Sequence, residues 1–441
     1  MLVIYIDKHT NRLGYTLNFI FKDVLKINYM VTLSKETFIA EKGAKLSYSE
    51  EAVYDELHLT HTNLLFETDI INYDLNYFEK DNVPFLFRTY AQDDILDFDV
   101  FAAVFYMISR YEEYLPFIAD RHGRFSSENS LAVEHNFLEK PVVNIWINML
   151  KNKILEKYPN EVSTQKKFTF LNSIDIDMAY YYRGKGLYRS IGGFFRDLVK
   201  RDFASCKERI KIDFFGKEDP YNCFAFLQNH ICKNSLKTLI FYLMASSSDY
   251  DKSISPYNTN FQLSINDMAD YADIGIHPSY YVCEEPDRLS AQIQLLKDIV
   301  HKNITDARFH YLRFRLPDSY NTLMENEITD DYSMGYSDKV GFRAGTCSSF
   351  QFYDLEKDCE TKLRVHPFAF MDVALKNGLS LSPLQAIEKI KNITNEVYKV
   401  EGELISIWHN ESLSDYKDWQ GWRNVYEQQT EYITLLTQKE K

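Results

Sequence analysis

The residues able to do chemistry gather in the second half of the chain. Two carboxylates two positions apart, in Ser173-Ile-Asp175-Ile-Asp177, close an apolar run at 168–174. Side chains on a strand repeat every two residues, so both carboxylates project from one face. One can then hold a divalent cation while the other stays free as a base toward water. His277 follows Asp273-Ile-Gly-Ile, Arg308-Phe-His310-Tyr311 opens another stretch, and Trp408-His409-Asn410-Glu411 closes the last apolar run. The Asp pair with these three histidines amounts to a catalytic zinc-type ligand set plus an acid and a base.

Such residues can meet only if the elements carrying them end at one edge. In βα folds that edge is the C-terminal end of the strands. Beyond residue 167 the pattern alternates accordingly. Strands are expected at 168–174, 238–244, 273–276, 308–315 and 404–408, and helices at 220–232, 264–272, 288–300, 320–326 and 383–400. The last helix opens on Ser382-Pro383-Leu-Gln385, a capping box with Pro at its first position. This alternation predicts an α/β fold with a mostly parallel sheet or barrel. The first 160 residues mix short strands (2–6, 85–87) with two helices at 99–114 and 141–157. The polar stretch 159–167 reads as a linker, which divides the chain into an N-terminal α/β domain (1–160) and a larger domain (165–441).

Composition bounds the function. The chain has 441 residues, a net charge of −14 and 26% charged residues, which argues against nucleic acid as a general partner. Only 15 glycines are present, so Gly-rich phosphate loops have little material. The six cysteines show no C-x-x-C, and the N-terminus lacks a secretory pattern. Reduced thiols and a cytoplasmic location are expected. The longest apolar run, 100–108, is far short of the roughly 20 residues that span a bilayer. His58-Leu-Thr-His61 has no third ligand nearby and reads as surface or core.

The order of motifs resembles the polysaccharide deacetylase (NodB-homology) family over roughly 165–415. Ser-Ile-Asp175-Ile-Asp177 is similar to that family's first motif, Thr-Phe-Asp-Asp-Gly, with one residue inserted. Asp273-Ile-Gly-Ile-His277 is similar to its Glu-Ile-Gly-Asn-His, Arg308-Phe-His310-Tyr311 to its Arg motif, and Ile405-Ser-Ile-Trp-His409 to its last motif. The phrases Ile108-Ser-Arg-Tyr-Glu-Glu-Tyr114, Gly341-Phe-Arg343-Ala-Gly-Thr346 and Val365-His-Pro-Phe-Ala-Phe370 are similar to a divergent branch with an uncharacterised N-terminal domain. The resemblance implies a distorted (β/α) barrel and one divalent metal ion (Zn, Co, Ni or Fe). It also implies an acetylated carbohydrate as substrate, released by hydrolysis of a C–N bond other than a peptide bond. Asp175 would be the base, Asp177 and His277 metal ligands, Arg308 the residue steadying Asp175, and His409 the acid. The family's second metal histidine falls on Tyr281 here, so His310 is expected to complete the metal set. An opposing alignment takes His277-Pro278 as the second His-Pro, with Asp273 four residues before. The Tyr311 backbone N–H is expected at the oxyanion, and Tyr281 and Arg343 at the substrate.

Other readings stay open. Asp-x-Asp after a strand also resembles haloacid-dehalogenase-type phosphatases, though Ala179 stands where they carry Thr or Val. It resembles the metal motif of nucleotide-sugar glycosyltransferases as well. A catalytically inactive glycan-binding descendant is a further alternative, because the glycines after the first and third motifs are absent. Gly184-Lys-Gly186 mimics a dinucleotide fingerprint without its third glycine. Residues 183–217 carry ten Lys/Arg against four Asp/Glu, interleaved with Leu187, Ile191, Phe194, Phe195, Leu198 and Val199. They read either as a solvated face or as a basic amphipathic flap suited to an anionic or lipid-linked glycan at a membrane surface.

Overall fold

The computed structural model describes residues 1–159 and 167–438, leaving aside the side chains of 187–189. Residues 160–166 of the expected linker, and the side chain of Leu187, lie outside the described residues. The first strands are β1 (Leu2–Ile6), β2 (Tyr29–Thr32), β3 (Ala44–Tyr48) and β4 (Leu57–Leu59), which form a parallel sheet in the order β2-β1-β3-β4. β5 (Phe78–Lys80) and β6 (Val83–Phe85) pair antiparallel.

The apolar run is the helix Val100–Ile108, and every one of its residues is buried. Asp99 caps it by accepting from the Phe101 and Ala102 N–H groups, and its other oxygen accepts from the Tyr48 and Thr62 hydroxyls. A helix apolar all round needs neighbours on every side. This one has them because Phe105 meets Tyr15 on one side and Tyr353, from the second half of the chain, on the other. Helix 99–114 of the sequence reading thus ends at Ile108, with a separate 3-10 turn at Tyr111–Tyr114.

The second sheet contains β7 (Thr169–Ile176), β8 (Thr238–Tyr242), β9 (Asp273–Ile276), β10 (Asp306–Ala307), β11 (Asp330–Asp331), β12 (Phe350–Asp354), β13 (Cys359–Val365), β14 (Phe370–Met371) and β15 (Glu403–His409). Their order is β12-β13-β11-β10-β9-β8-β7-β15-β14, parallel throughout except for the β12/β13 hairpin. Among the described residues no ladder joins β12 to β14. The expected barrel is therefore, in its hydrogen bonding, an open row of nine strands.

Two further expectations change. The strand at 308–315 shrinks to Asp306–Ala307, and Arg308 lies just past its end, followed by a 3-10 turn at His310–Leu312. Tyr311 and Leu312 there have φ of +61° and +51°, which an extended strand excludes. The expected helices at 220–232 and 264–272 are Phe224–Asn234 and Thr259–Met268.

The two halves share one continuous core. Arg12 is fully buried and donates to Asp358 across the boundary, and the Tyr15 hydroxyl donates to the Gln351 carbonyl. Arg110, Glu113 and Arg343 form a buried ion network that ties the 3-10 turn Tyr111–Tyr114 to the loop after β11. No helix among the described residues is long and apolar enough to cross a membrane, and no disulfide forms among them.

Candidate metal and hydrolase site

Asp175, Asp177, His277, His310, Tyr311, His409 and Glu411 line one cavity of about 500 Å³, and Arg308 supports it through Asp175, whereas Tyr281 and Arg343 do not line it. Register explains the core of it. His409 on β15 lies directly opposite Asp175 on β7, and Asp177 stands just past the end of β7. His277 follows β9, which pairs with β8 next to β7. Arg308 and His310 follow β10, the next strand.

Asp177, His277 and His310 offer ligand atoms that all lie within 4.8 Å of one another. His277 Nε2 stands 3.2 Å from Asp177 Oδ1, and His310 Nε2 stands 3.4 Å from Asp177 Oδ2. Ligand bonds of about 2.1 Å in a tetrahedron place donor atoms roughly 3.4 Å apart, so these spacings suit one ion. The rings are also held in the right tautomer. His277 Nδ1 donates to the Arg308 carbonyl and His310 Nδ1 donates to the Asp251 carboxylate at 2.8 Å. Acceptors of that kind take the Nδ1 proton, so Nε2 is the atom that each ring turns toward Asp177. Asp177 Oδ1 is buried without a hydrogen-bond donor. A buried carboxylate oxygen in that position is costly unless a cation or a ring proton meets it. The donor set therefore fits a divalent metal.

The electrostatics agree that this cluster wants positive charge. Burial acts to raise the Asp177 carboxyl, but His310, with His277 and His409 beside it, outweighs burial and holds the carboxyl well below its usual range. Burial acts to lower the His310 imidazole, yet Asp177 and Asp251 push it up to about 9.

Asp175 sits beside the metal group. Its Oδ1 accepts from Arg308 Nη1 at 2.6 Å, and its Oδ2 lies 3.9 Å from His277 Nε2. Arg308 is fully buried and held four ways. Nη2 donates to Ser173 Oγ, Nε donates to the Tyr332 carbonyl, and the guanidinium lies over the Phe241 ring at 4.3 Å. Gly275 makes room for that ring, because a Cβ there would stand 2.6 Å from Phe241 Cε1 and 2.9 Å from the Asp306 carbonyl. Arg315, the other arginine of the stretch, instead donates to the Gly123 carbonyl.

On the opposite side His409 Nδ1 meets Asp372 Oδ1 at 2.7 Å, and its Nε2 lies 3.9 Å from Asp177 Oδ2. Burial acts against charging this ring, but Asp372, with Asp177 and Asp175, holds it well above the ordinary histidine value. Its Nδ1 is taken by Asp372, so Nε2 faces the cavity. Glu411 lines the same wall, and burial with the Asp177 charge raises its carboxyl to about 7.

Two expected substrate residues are placed differently. Arg343 is buried, and its three nitrogens are taken by both Glu113 oxygens and the Gly335 carbonyl. Tyr281 does not line the cavity. It lies behind Tyr250, which does, with ring centroids 6.2 Å apart. Among the described residues His58 and His61 join no metal group. His58 is bonded to Ser47 and His61 stands 3.6 Å from Asp7.

Several site residues escaped the sequence reading. Asp251 lies in a polar loop, 59 residues from the histidine it orients. Asp372 follows a two-residue strand, 37 residues before its histidine. From the N-terminal half, Arg121, His122 and Arg124 line the cavity. His122 Nδ1 meets the Tyr280 hydroxyl at 2.9 Å, and Arg124 donates to the Tyr311 carbonyl. The charged segment 120–124, Asp-Arg-His-Gly-Arg, matches no motif of its own. The Tyr311 ring, partly exposed, and Trp419 complete the rim.

Residues 2–159 match the model of a family described only as of unknown function, DUF7033. No curated protein sequence matches the chain. Among solved structures, the fold is similar to a protein of Mycobacterium smegmatis provisionally described as a polysaccharide deacetylase. That match has a TM-score of 0.39 and 13% identity over 61% of this chain and 84% of the other. It is also similar to a polysaccharide deacetylase from Bacillus cereus (TM-score 0.29, 9% identity, 61% and 87% covered). A third is a CE4 family pseudoenzyme (TM-score 0.32, 7% identity, 60% and 63% covered).

Proposed function

We propose that the protein is a metal-dependent hydrolase that removes N-acetyl, or O-acetyl, groups from a carbohydrate. The observation that carries this reading is the convergence of Asp177, His277 and His310 between Asp175 on one side and His409 on the other. Asp177, His277 and His310 would hold the ion. A divalent cation there polarises an acyl carbonyl and acidifies a water.

The remaining steps belong to the chain's own side chains. Asp175, kept in place by Arg308 through a charge-assisted bond, takes the proton of the attacking water. The Tyr311 backbone N–H, presented by the left-handed turn, donates to the acyl oxygen as it gains charge. His409, charged through Asp372, gives its proton to the departing nitrogen, or to oxygen if the bond is an ester. Arg121, Arg124, Tyr250, Tyr311 and Trp419 form the rim that a sugar would touch. Arg343 is held by Glu113 and does not line this rim.

The test is an acetate-release screen over N- and O-acetylated sugars with the zinc-, cobalt-, nickel- and iron-loaded chain. Turnover lost on chelation and restored by metal supports the reading. Glycan affinity without acetate release from any substrate would replace it with a binding role. Transfer from a nucleotide sugar would replace it with the glycosyltransferase reading.

A further inference from the structure

The helices Gly186–Val199 and Phe203–Phe215 form a hairpin with apolar residues on both of its faces. Its inner face buries Cys206 and Ile212 together with polar residues. Arg209 and Asp197 make a buried ion pair at 3.0 Å, and Arg209 lies over the Tyr182 ring at 4.8 Å. Gly193 permits that approach, since a Cβ there would stand 2.6 Å from Arg209 Nη2. Asp202 caps the second helix by accepting from the Ser205 N–H, and Gly216 closes it in the left-handed conformation. The hairpin is thus a finished element whose orientation is fixed.

Its outer face carries further apolar residues. On the first helix Ile191, Phe195, Leu198 and Val199 fall at i, i+4, i+7 and i+8, one stripe, and all are exposed, Val199 to 83%. On the second, Phe203, Ile210 and Phe214 form a stripe joined by Phe215, with Phe214 and Phe215 each 79% exposed. Lys207 and Lys211 are exposed and belong to that second stripe, and Lys200 is exposed at the turn between the helices. A surface helix of a globular protein turns its apolar stripe toward the core. A large apolar patch turned outward marks a surface that another body covers.

Charge says which body. Residues 183–217 carry ten basic and four acidic residues, a net +6 within a chain of −14. The hairpin is a cationic, aromatic patch on an otherwise acidic protein, which complements an anionic surface and not a second copy of itself. Symmetric pairing would bring two net-positive faces together. We infer that the hairpin docks this protein on an anionic lipid bilayer. The Phe and Ile side chains enter the headgroup boundary, and the lysines meet lipid phosphates. The element is rooted at the cavity wall, because Lys185 Nζ contacts Met178, which lines the cavity.

The experiment is co-sedimentation of the full chain with vesicles. One set is phosphatidylcholine alone, and the other is three parts phosphatidylcholine to one part phosphatidylglycerol. Binding to the mixed vesicles only is expected. The triple variant Phe195→Ser, Phe214→Ser, Phe215→Ser should weaken it by about tenfold or more. The triple variant Lys200→Gln, Lys207→Gln, Lys211→Gln should weaken it by on the order of a hundredfold. All six positions are exposed, so far-UV circular dichroism should stay that of the unaltered chain. If the phenylalanine variant misfolds, the lysine variant decides alone. Absence of wild-type binding, equal binding to both vesicles, or binding that survives the lysine variant overturns the inference. So does a stable dimer in light scattering that the phenylalanine variant dissolves, since a second copy would then cover the face.

Discussion

The chain buries two charge networks, and they are finished differently. Around Glu113 every position is filled. Its Oε1 accepts from Arg110 Nε and Arg343 Nε, its Oε2 accepts from Arg343 Nη2, and Arg110 Nη2 is met by Glu112. Around Asp177 the network stops short. Its Oδ1 lacks a donor, and two Nε2 atoms face the carboxylate from rings already fixed by other acceptors. A closed network has its desolvation cost offset within the protein and serves the fold. An open one carries that cost unmet until a ligand arrives. The difference separates a structural arginine such as Arg343 from a site.

The largest effect should come from Asp175→Asn. If Asp175 is the base, acetate release falls roughly a hundred- to ten-thousand-fold while bound metal per chain is unchanged. Metal lost together with activity would instead place Asp175 in the ligand set. Glu113→Ala should break the closed network, leaving the Arg343 charge buried with only the Gly335 carbonyl and Arg110 with Glu112 as its one carboxylate. Urea unfolding is expected to show a loss of about 3–5 kcal/mol, with metal content per folded chain intact. A loss under 1 kcal/mol would mean that water reaches the pair and that the network is not closed.

The two orienting aspartates sharpen the contrast within the open network. Asp251→Asn should lower metal affinity roughly 10- to 100-fold by freeing His310. Asp372→Asn should leave metal affinity alone and lower turnover, since it acts on His409. Metal competition assays and kcat on the same preparations separate the two, and the reverse pattern would exchange the roles of His310 and His409. The smallest effect is Gly275→Ala. Pushing Phe241 from beneath Arg308 should cost about 1–3 kcal/mol of stability and reduce kcat more than KM, as expected of a positioning defect.

Much of the open network was legible in the sequence because it depends on local rules. A period of two puts Asp175 and Asp177 on one face, and apolar runs ending in His277 and His409 announce strand ends. Arg308 and His310 were legible as a motif, though the strand expected to carry them is only two residues long. The closed network was not legible as such. Gly341-Phe-Arg343-Ala-Gly-Thr346 looks like a substrate loop until its partner, 230 residues upstream in Ile108-Ser-Arg-Tyr-Glu-Glu-Tyr114, is brought beside it. Asp251 and Asp372 were hidden for the same reason, since tertiary contact alone gives a loop carboxylate its histidine. The β12/β13 hairpin did leave a signal. Phe350 and Phe352 alternate with polar neighbours, as do Leu363 and Val365. The ring-like barrel was expected from resemblance, which carries no information on whether the end strands pair.

The central claim is that the Asp177 cluster is completed by a divalent cation. Zinc titration of metal-stripped protein, followed by calorimetry, tests it most directly. The account predicts one ion per chain, affinity lost in His277→Ala and His310→Ala, and affinity unchanged in His61→Ala, which alters the His58-Leu-Thr-His61 pair outside the cluster. No zinc binding, or binding that persists in His310→Ala but disappears in His61→Ala, would contradict it.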